Sequence, residues 1–285
     1  PLLTFLMGDF LGADLERMVP FAKASELVHA ASLAHDDVID RAQMRRGRPS
    51  INVVSSNKKA VLSGDYLLAD VIIALSYYGT LDLLREMSLV IQELSYGEWL
   101  QLETAQNRDY TEKKIENIAR FKTSSVIRWC TISPALYCKY DNEMVELCRE
   151  FGDRLGIAFQ FIDDTLDFAQ AKKSNTVEKD EYLDLNNGQV NSVVFSWLER
   201  HPENFQDYRS GRVEPLSTVL KDADFSQDLE HVRGVAHNHL ESCHRLLDQM
   251  EAHLRSQRIN NDASLLSQKR EALSLILAFL AARTH

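Results

Sequence analysis

Apolar residues recur at helical spacing along most of the 285-residue chain, and short polar breaks cut the pattern into long segments. The spacing predicts a helix over 16–40, with Pro20 near its start. A second is expected over 57–79, opening on Asn57 as a cap and closing on Gly79, and a third over 80–106, capped by Thr80. Residues 111–133 predict a helix that stops before Pro134, and 141–169 another that begins at Asp141. Two more fill roughly 224–257 and 262–283. Residues 172–188 and 200–216 are polar and irregular, and the second reads as a surface excursion. Strand alternation is nearly absent, glycine (11) and proline (6) are scarce, and there is no linker or repeat of fixed period. The expectation is one all-α domain over 1–285.

Composition narrows the function classes. Lys and Arg number 32 against 42 Asp and Glu, a formal net charge of −10. Such a chain is a poor general binder of nucleic acid, which needs clustered cations. Cys130, Cys138, Cys148 and Cys243 form no CxxC pair and read as free thiols in a reducing compartment. No signal-peptide pattern is visible, and ALSLILAFLAA (272–282) is too short to span a bilayer. A cytoplasmic protein that is not integral to a membrane is therefore expected.

The chemistry concentrates in two acidic clusters. HDDVIDRAQMRRG (35–47) places Asp36, Asp37 and Asp40 at the end of an apolar segment, and Arg45 and Arg46 follow. FQFIDDTLDF (159–168) repeats the Asp-Asp-x-x-Asp pattern at Asp163, Asp164 and Asp167. On a helix, positions i and i+4 share a face about 6 Å apart. Asp36 and Asp40 are so related, as are Asp163 and Asp167. Two bare carboxylates at that distance repel by roughly 3 kcal/mol at an effective dielectric of 20, against a whole-fold stability of about 5–15 kcal/mol. Inward-facing pairs therefore call for a cation. Mg²⁺ takes oxygen ligands, commonly one or two carboxylates plus substrate phosphates, and paired arginines grip phosphate oxygens. The reading is carboxylates that hold metal, with metal and arginines together holding a diphosphate. A solvated acidic helix end is the plain alternative for one cluster, and two clusters weigh against it.

These residues resemble the trans-isoprenyl diphosphate synthases, or polyprenyl synthetases, over nearly the whole chain. The resemblance rests on HDDVIDRAQMRRGRPSIN (35–52), NKKAVLSGDYLLA (57–69), Lys122-Thr123 and GIAFQFIDDTLDF (156–168), in that order and spacing. It implies an all-helical bundle around a deep central cavity, usually homodimeric. It implies catalysis at Asp36, Asp37, Asp40, Lys122, Thr123, Asp163 and Asp164. Asp36 and Asp40 would ligate two Mg²⁺ ions and Asp163 a third. Asp37, Asp164 and Asp167 would support them, with Asp167 in the metal set. Arg45 would contact the allylic diphosphate; Arg46 and His29 the isopentenyl diphosphate. Lys122, Thr123 and Gln160 would line the reaction centre, and Lys179 matches a diphosphate-binding lysine. The implied reaction ionises an allylic diphosphate and attacks it with the isopentenyl double bond. The hydrophobic product partitions to membranes. Without the resemblance, His29 on an apolar helix reads as a core histidine.

The chain departs from the family pattern in places. The family's Gly-Lys-x-x-Arg segment is not seen before PLLTFLMGDF, which suggests an upstream part not included here. Gln189 stands where the family has a second lysine, so weaker diphosphate binding or slower ionisation is expected. Arg128 and Trp129 are bulkier than the usual residues and either pack in the core or a dimer contact, or narrow the tunnel. Ala31 and Ser32, five and four positions before Asp36, are small. They favour a product longer than farnesyl, or simply close helix packing. The segment HNHLESCH (237–244) reads as a solvated helix face rather than a metal site, and KDADFSQDLEH (221–231) as a solvated helix start. Tyr77-Tyr78 reads as packing. A weakly active or non-catalytic synthase subunit, and a class I terpene cyclase, stand as alternatives.

Overall fold

The computed structural model describes residues 1–45, 47–171, 189–213, 216–220, 223–257 and 263–283, without the side chains of 167, 169–171 and 263. In chain order the helices are α1 (Leu2–Phe10), α2 (Leu15–Ile39), α3 (Ile51–Val54), α4 (Asn57–Tyr78), α5 (Leu81–Asn107) and α6 (Glu112–Ala119). A π-helical turn, Arg120–Ser124, leads into α7 (Ser125–Tyr137). Then come α8 (Asn142–Ala171), α9 (Ser192–Arg200), α10 (Pro202–Arg209), α11 (Ser217–Leu220), α12 (Ser226–Ser256) and α13 (Ala263–Ala282). The strands among the described residues are β1 (Met44–Arg45) and β2 (Arg48–Pro49), an antiparallel pair with Arg45 opposite Arg48. The all-α expectation holds.

Local capping chemistry sets most boundaries. Asp14, Thr80, Thr111 and Asp141 each accept a hydrogen bond from a backbone N–H in the first turn they precede. The cap of α4 is Ser56 rather than Asn57; its hydroxyl accepts from Lys59 N at 3.3 Å. Pro134 does not end α7, which runs on to Tyr137. Burial of Ile132 and Ala135 on either side offsets the single backbone bond a proline forgoes. The expected excursion over 200–216 contains α10, with Pro202 at its first position, where a missing N–H costs nothing. The expected irregular stretch 172–188 lies outside the described residues.

The chain groups into two compact units. The first comprises Pro1–Leu94, Val126–Gly152 and Met250–Leu273. Its core joins Met18, Phe21, Ala24 and Val28 of α2 to Val71 and Leu75 of α4, with Leu83, Met87, Val90 and Trp129. Trp129 is fully buried, edge-on to Phe21, and its indole N–H donates to the Phe21 carbonyl at 3.0 Å. Arg128 is buried in an ion pair with Glu93. Both bulky residues are thus packing elements of this unit. Tyr77 and Tyr78 are not packing residues within the chain: they are 80% and 61% exposed.

The second unit comprises Ser95–Ser125, Asp153–Gln249 and Ser274–His285. Asp228, expected on a solvated helix start, is fully buried; it accepts from the Ser196 hydroxyl and the Arg200 guanidinium. The face of 237–244 is likewise not wholly solvated. Cys243 is buried and the His239 ring lies edge-on to Phe161. Burial, followed by the charges of Arg154 and Arg120, pushes the His239 pKa down. The four cysteines are free thiols, as expected.

Candidate functional site

The first acidic cluster sits where α2 ends. Asp40 is the C-cap, and its N–H still donates to the Asp36 carbonyl at 2.8 Å, so the two aspartates keep helical i, i+4 spacing. The next residue, Arg41, has φ of 54°. Ala42 N donates to Asp37 O at 3.0 Å and Arg41 N to Val38 O at 3.4 Å, the paired bonds of a Schellman stop. Three carboxylates therefore cluster at the negative end of a 25-residue helix with no basic residue in its last turn. That is an unfavourable place for anions unless cations join them.

The middle aspartate is taken up by the protein. Asp37 is 3% exposed and accepts from Arg45 Nε at 2.5 Å. The β1–β2 hairpin that carries Arg45 is stitched to the end of α2. Asn52 donates to the carbonyls of Asp37 and Ala42, and Ser50 Oγ to that of Ala42 at 2.5 Å. This pairing uses one of the five guanidinium N–H groups of Arg45. His35 braces the other side: its Nε2 lies 3.1 Å from the Val61 carbonyl and 3.4 Å from Asp65. Gly64 makes room for it, since a Cβ there would lie 2.2 Å from His35 Nε2. His29, on the same helix face as Asp36 by spacing, is exposed rather than in the core.

The second cluster belongs to a hydrogen-bonded chain in the other unit. Asp164 is buried on α8 and accepts from Gln160 Nε2 at 2.8 Å on one oxygen. Its other oxygen accepts from Ser192 N at 3.0 Å and Ser192 Oγ at 2.6 Å. Gln160 Oε1 accepts from the Thr123 hydroxyl at 2.5 Å. Burial pushes the Asp164 carboxyl pKa up, against these donors, which pull it down. Asp163, next to it, is about half exposed, with Arg283 at 3.6 Å. Lys122 forms an ion pair with Glu98 and donates to Gln101 Oε1 at 2.9 Å.

Two glycines explain how Lys122 and Thr123 reach these partners. They lie in the π-helical turn, a rare geometry often found at functional sites. A Cβ at Gly97 on α5 would lie 2.8 Å from Phe121 Cβ, and one at Gly156 on α8 would lie 2.4 Å from Ser124 Cα. The bare backbone of both helices lets the turn seat against them.

Among the described residues no three His, Cys, Asp or Glu side chains group as a closed metal cage. Mg²⁺ held through one or two carboxylates, water and substrate phosphate needs none. Arg46 and Lys179 lie outside the described residues, and so does the side chain of Asp167.

The polyprenyl synthetase family model matches residues 1–212. The chain belongs to the polyprenyl synthetase family. Among its relatives is a mitochondrial solanesyl-diphosphate synthase 1 of Oryza sativa subsp. japonica, 30% identical over 226 residues. That alignment covers 78% of this chain and 52% of the relative. The chain spans about half the length of the curated relatives it matches. A decaprenyl diphosphate synthase structure from Rhodobacter capsulatus superposes with a TM-score of 0.74 at 25% identity, covering 100% of this chain and 85% of that one. A polyprenyl synthase from Caulobacter crescentus, complexed with calcium and isoprenyl diphosphate, gives 0.74 at 25% identity, covering 100% and 84%. In this member of the family, sequence reasoning missed Ser192, Glu98, Gln101 and Arg283. No short-range spacing links them to the motifs; only Gly97 and Gly156 carried a signal, as isolated glycines inside helical patterns.

Proposed function

We propose that the chain forms one isoprenoid-synthase-like domain of a Mg²⁺-dependent prenyltransferase. It condenses isopentenyl diphosphate with an allylic diphosphate to a trans-polyprenyl diphosphate longer than farnesyl. The observation that carries this reading is the doubled acidic pattern whose middle members, Asp37 and Asp164, are each taken up by protein donors. The donor set suits a hard divalent cation. Asp36 and Asp40, at the negative end of α2, would hold two such ions, and Asp163, with Asp167, a third. When bound, they supply Lewis-acid activation of the departing diphosphate.

The chain's own residues do the rest. Arg45, Arg46, His29 and Lys179 bind and orient the two diphosphates. Thr123, held by Gln160, faces an oxygen dipole toward the electron-poor allylic carbon. Apolar walls keep water from the carbocation. No side-chain nucleophile is needed, and the released diphosphate takes the proton. Gln189 in place of a lysine makes ionisation slower than in a chain that carries both cations.

Long products are supported by the names of the relatives, which include solanesyl, decaprenyl and hexaprenyl synthases. They are also supported by Ala31, a small buried residue five positions before Asp36. Trp129 meets α2 at Phe21, 15 residues before Asp36, or about 22 Å at 1.5 Å per residue. It therefore does not counter Ala31.

A homodimer is supported by α4. Leu62, Tyr66, Ile73 and Tyr77 form an exposed stripe, 55–80% accessible, opposite the buried Ala60, Gly64, Val71 and Leu75. The helix is long and apolar enough to cross a bilayer by length and composition, with 22% of its most apolar window buried. A helix apolar on both faces is normally covered, and we assign the cover to a second copy. Light scattering should give twice the chain mass, and Ile73→Glu should halve it. The Oryza sativa relative is mitochondrial and a solanesyl diphosphate synthase 2 of Arabidopsis thaliana is chloroplastic, and free thiols fit any reducing compartment, cytoplasm included.

The test of the activity is turnover of labelled isopentenyl diphosphate with a series of allylic primers and Mg²⁺, with products resolved by chromatography. A polyprenyl chain longer than farnesyl is expected. No elongation with any primer would instead indicate a binding subunit, and a cyclic hydrocarbon a cyclase.

A further inference from the structure

The hydrogen-bonded chain in the second unit has a direction. In its ionised form Asp164 only accepts hydrogen bonds. The amide group of Gln160 that faces Asp164 must therefore be its NH₂, 2.8 Å away. A flipped amide would set oxygen against oxygen. With the NH₂ so placed, Gln160 Oε1 faces Thr123 at 2.5 Å, and the hydroxyl must donate to it. Thr123 has one hydrogen, so once that is committed its oxygen can offer only lone pairs elsewhere. Thr123 is half-buried.

The far end of this chain is Ser192, at the start of α9. Its hydroxyl, 2.6 Å from Asp164 Oδ2, joins its own backbone N–H on the same oxygen. The helix start is fixed from both sides: Asn191 caps it through Val194 N at 3.0 Å, and Val190 N donates to the Tyr110 hydroxyl at 3.3 Å. Asp164 is thus held by donors on both oxygens, and Gln160 cannot reorient without breaking one of them.

We propose that Ser192 is a positioning residue for prenyl transfer, acting through Asp164 and Gln160 to keep the Thr123 lone pairs aimed at the reacting allylic carbon. This rests on the prenyltransferase reading. Its effect falls on the rate of the ionisation step, where positive charge develops, and not on diphosphate binding, which uses other residues.

Ser192→Ala keeps the backbone donor and removes the hydroxyl. It should lower kcat about tenfold, the size of one charge-assisted hydrogen bond, with KM for both diphosphates within twofold. Ser192→Thr should restore most of the rate. A second readout is independent of turnover. The side-chain NH₂ resonances of Gln160 should move in Ser192→Ala and return in Ser192→Thr, while calorimetry of a non-hydrolysable allylic diphosphate analogue with Mg²⁺ stays unchanged. Wild-type rate in Ser192→Ala, or an equal loss in Ser192→Thr, overturns the proposal. If the alanine variant does not fold, Ser192→Cys, an isostere with a weak donor, takes its place under the same criteria. A wild-type protein that elongates no primer sinks the prenyltransferase reading instead, and the Gln160 resonances then still report whether Ser192 controls the amide.

Discussion

Asp37 and Asp164 occupy the same place in the same motif, yet the molecule treats them oppositely. Asp37, at the end of α2, is neutralised by a full positive charge on a hairpin that follows it directly. Asp164, inside α8, has neutral donors on both oxygens, one of them from a helix start 28 residues away. A charge pair tolerates burial through Coulomb attraction and fails when either charge is removed. A carboxylate held by neutral dipoles keeps a desolvation cost but gains a fixed direction for every hydrogen around it. One copy of the pattern is therefore anchored by charge, the other by orientation.

The comparison can be broken most sharply at the outer positions. Asp36→Ala should lower Mg²⁺-dependent turnover by more than about a hundredfold while circular dichroism keeps its helical signal. Turnover equal to wild type would take Asp36 out of the metal set. Next, the two middle positions should separate stability from rate. Asp37→Asn leaves Arg45 without its counter-charge and should cost about 1.5–3 kcal/mol in urea unfolding. Asp164→Asn should cost less than about 1 kcal/mol, because an amide is easier to bury than a carboxylate. It should nonetheless reduce kcat, since its NH₂ must displace one of the donors. Equal stability losses would mean the two sites are not built differently.

The smallest effects lie in pH dependence. Burial raises the Asp164 pKa in the folded chain. Its stabilising contribution is then complete below the ordinary aspartate value of about 3.9 and is lost as pH rises through the raised one. Metal-free wild type should lose stability relative to Asp164→Asn as pH climbs above about 4, and parallel curves would contradict this. Asp141, the cap of α8, should show the reverse. The Met144 N–H holds its pKa down, so its contribution is present above the ordinary value and lost as pH falls through the lowered one. Urea midpoints of Asp141→Asn against wild type check the sign.

What the sequence disclosed follows the range of each interaction. Caps at Asp14, Thr80, Thr111 and Asp141 act within one turn, so the long helices could be placed from local signals. Pro134 misled because burial of its neighbours outweighs a local preference. Asp228 misled because its partners, Ser196 and Arg200, lie on another helix. The two acidic clusters were legible as repeated patterns, but Ser192 was not. A serine near a helix start has many uses, and its choice of Asp164 is decided in three dimensions. Tyr77 and Tyr78 show the converse, since aromatic residues at helical spacing do not say whether their own chain covers them.

Gly64 contributes no chemical group, yet the turn bearing Asp36 leans on the space it leaves for the neighbouring imidazole. A methyl group there would crowd that ring and nudge the carboxylates of Asp36 and Asp40 without altering either of them. A survey that ranks positions by lost activity would score this silent atom-sized gap beside the aspartates themselves. In this protein a vacancy can be as indispensable as a ligand.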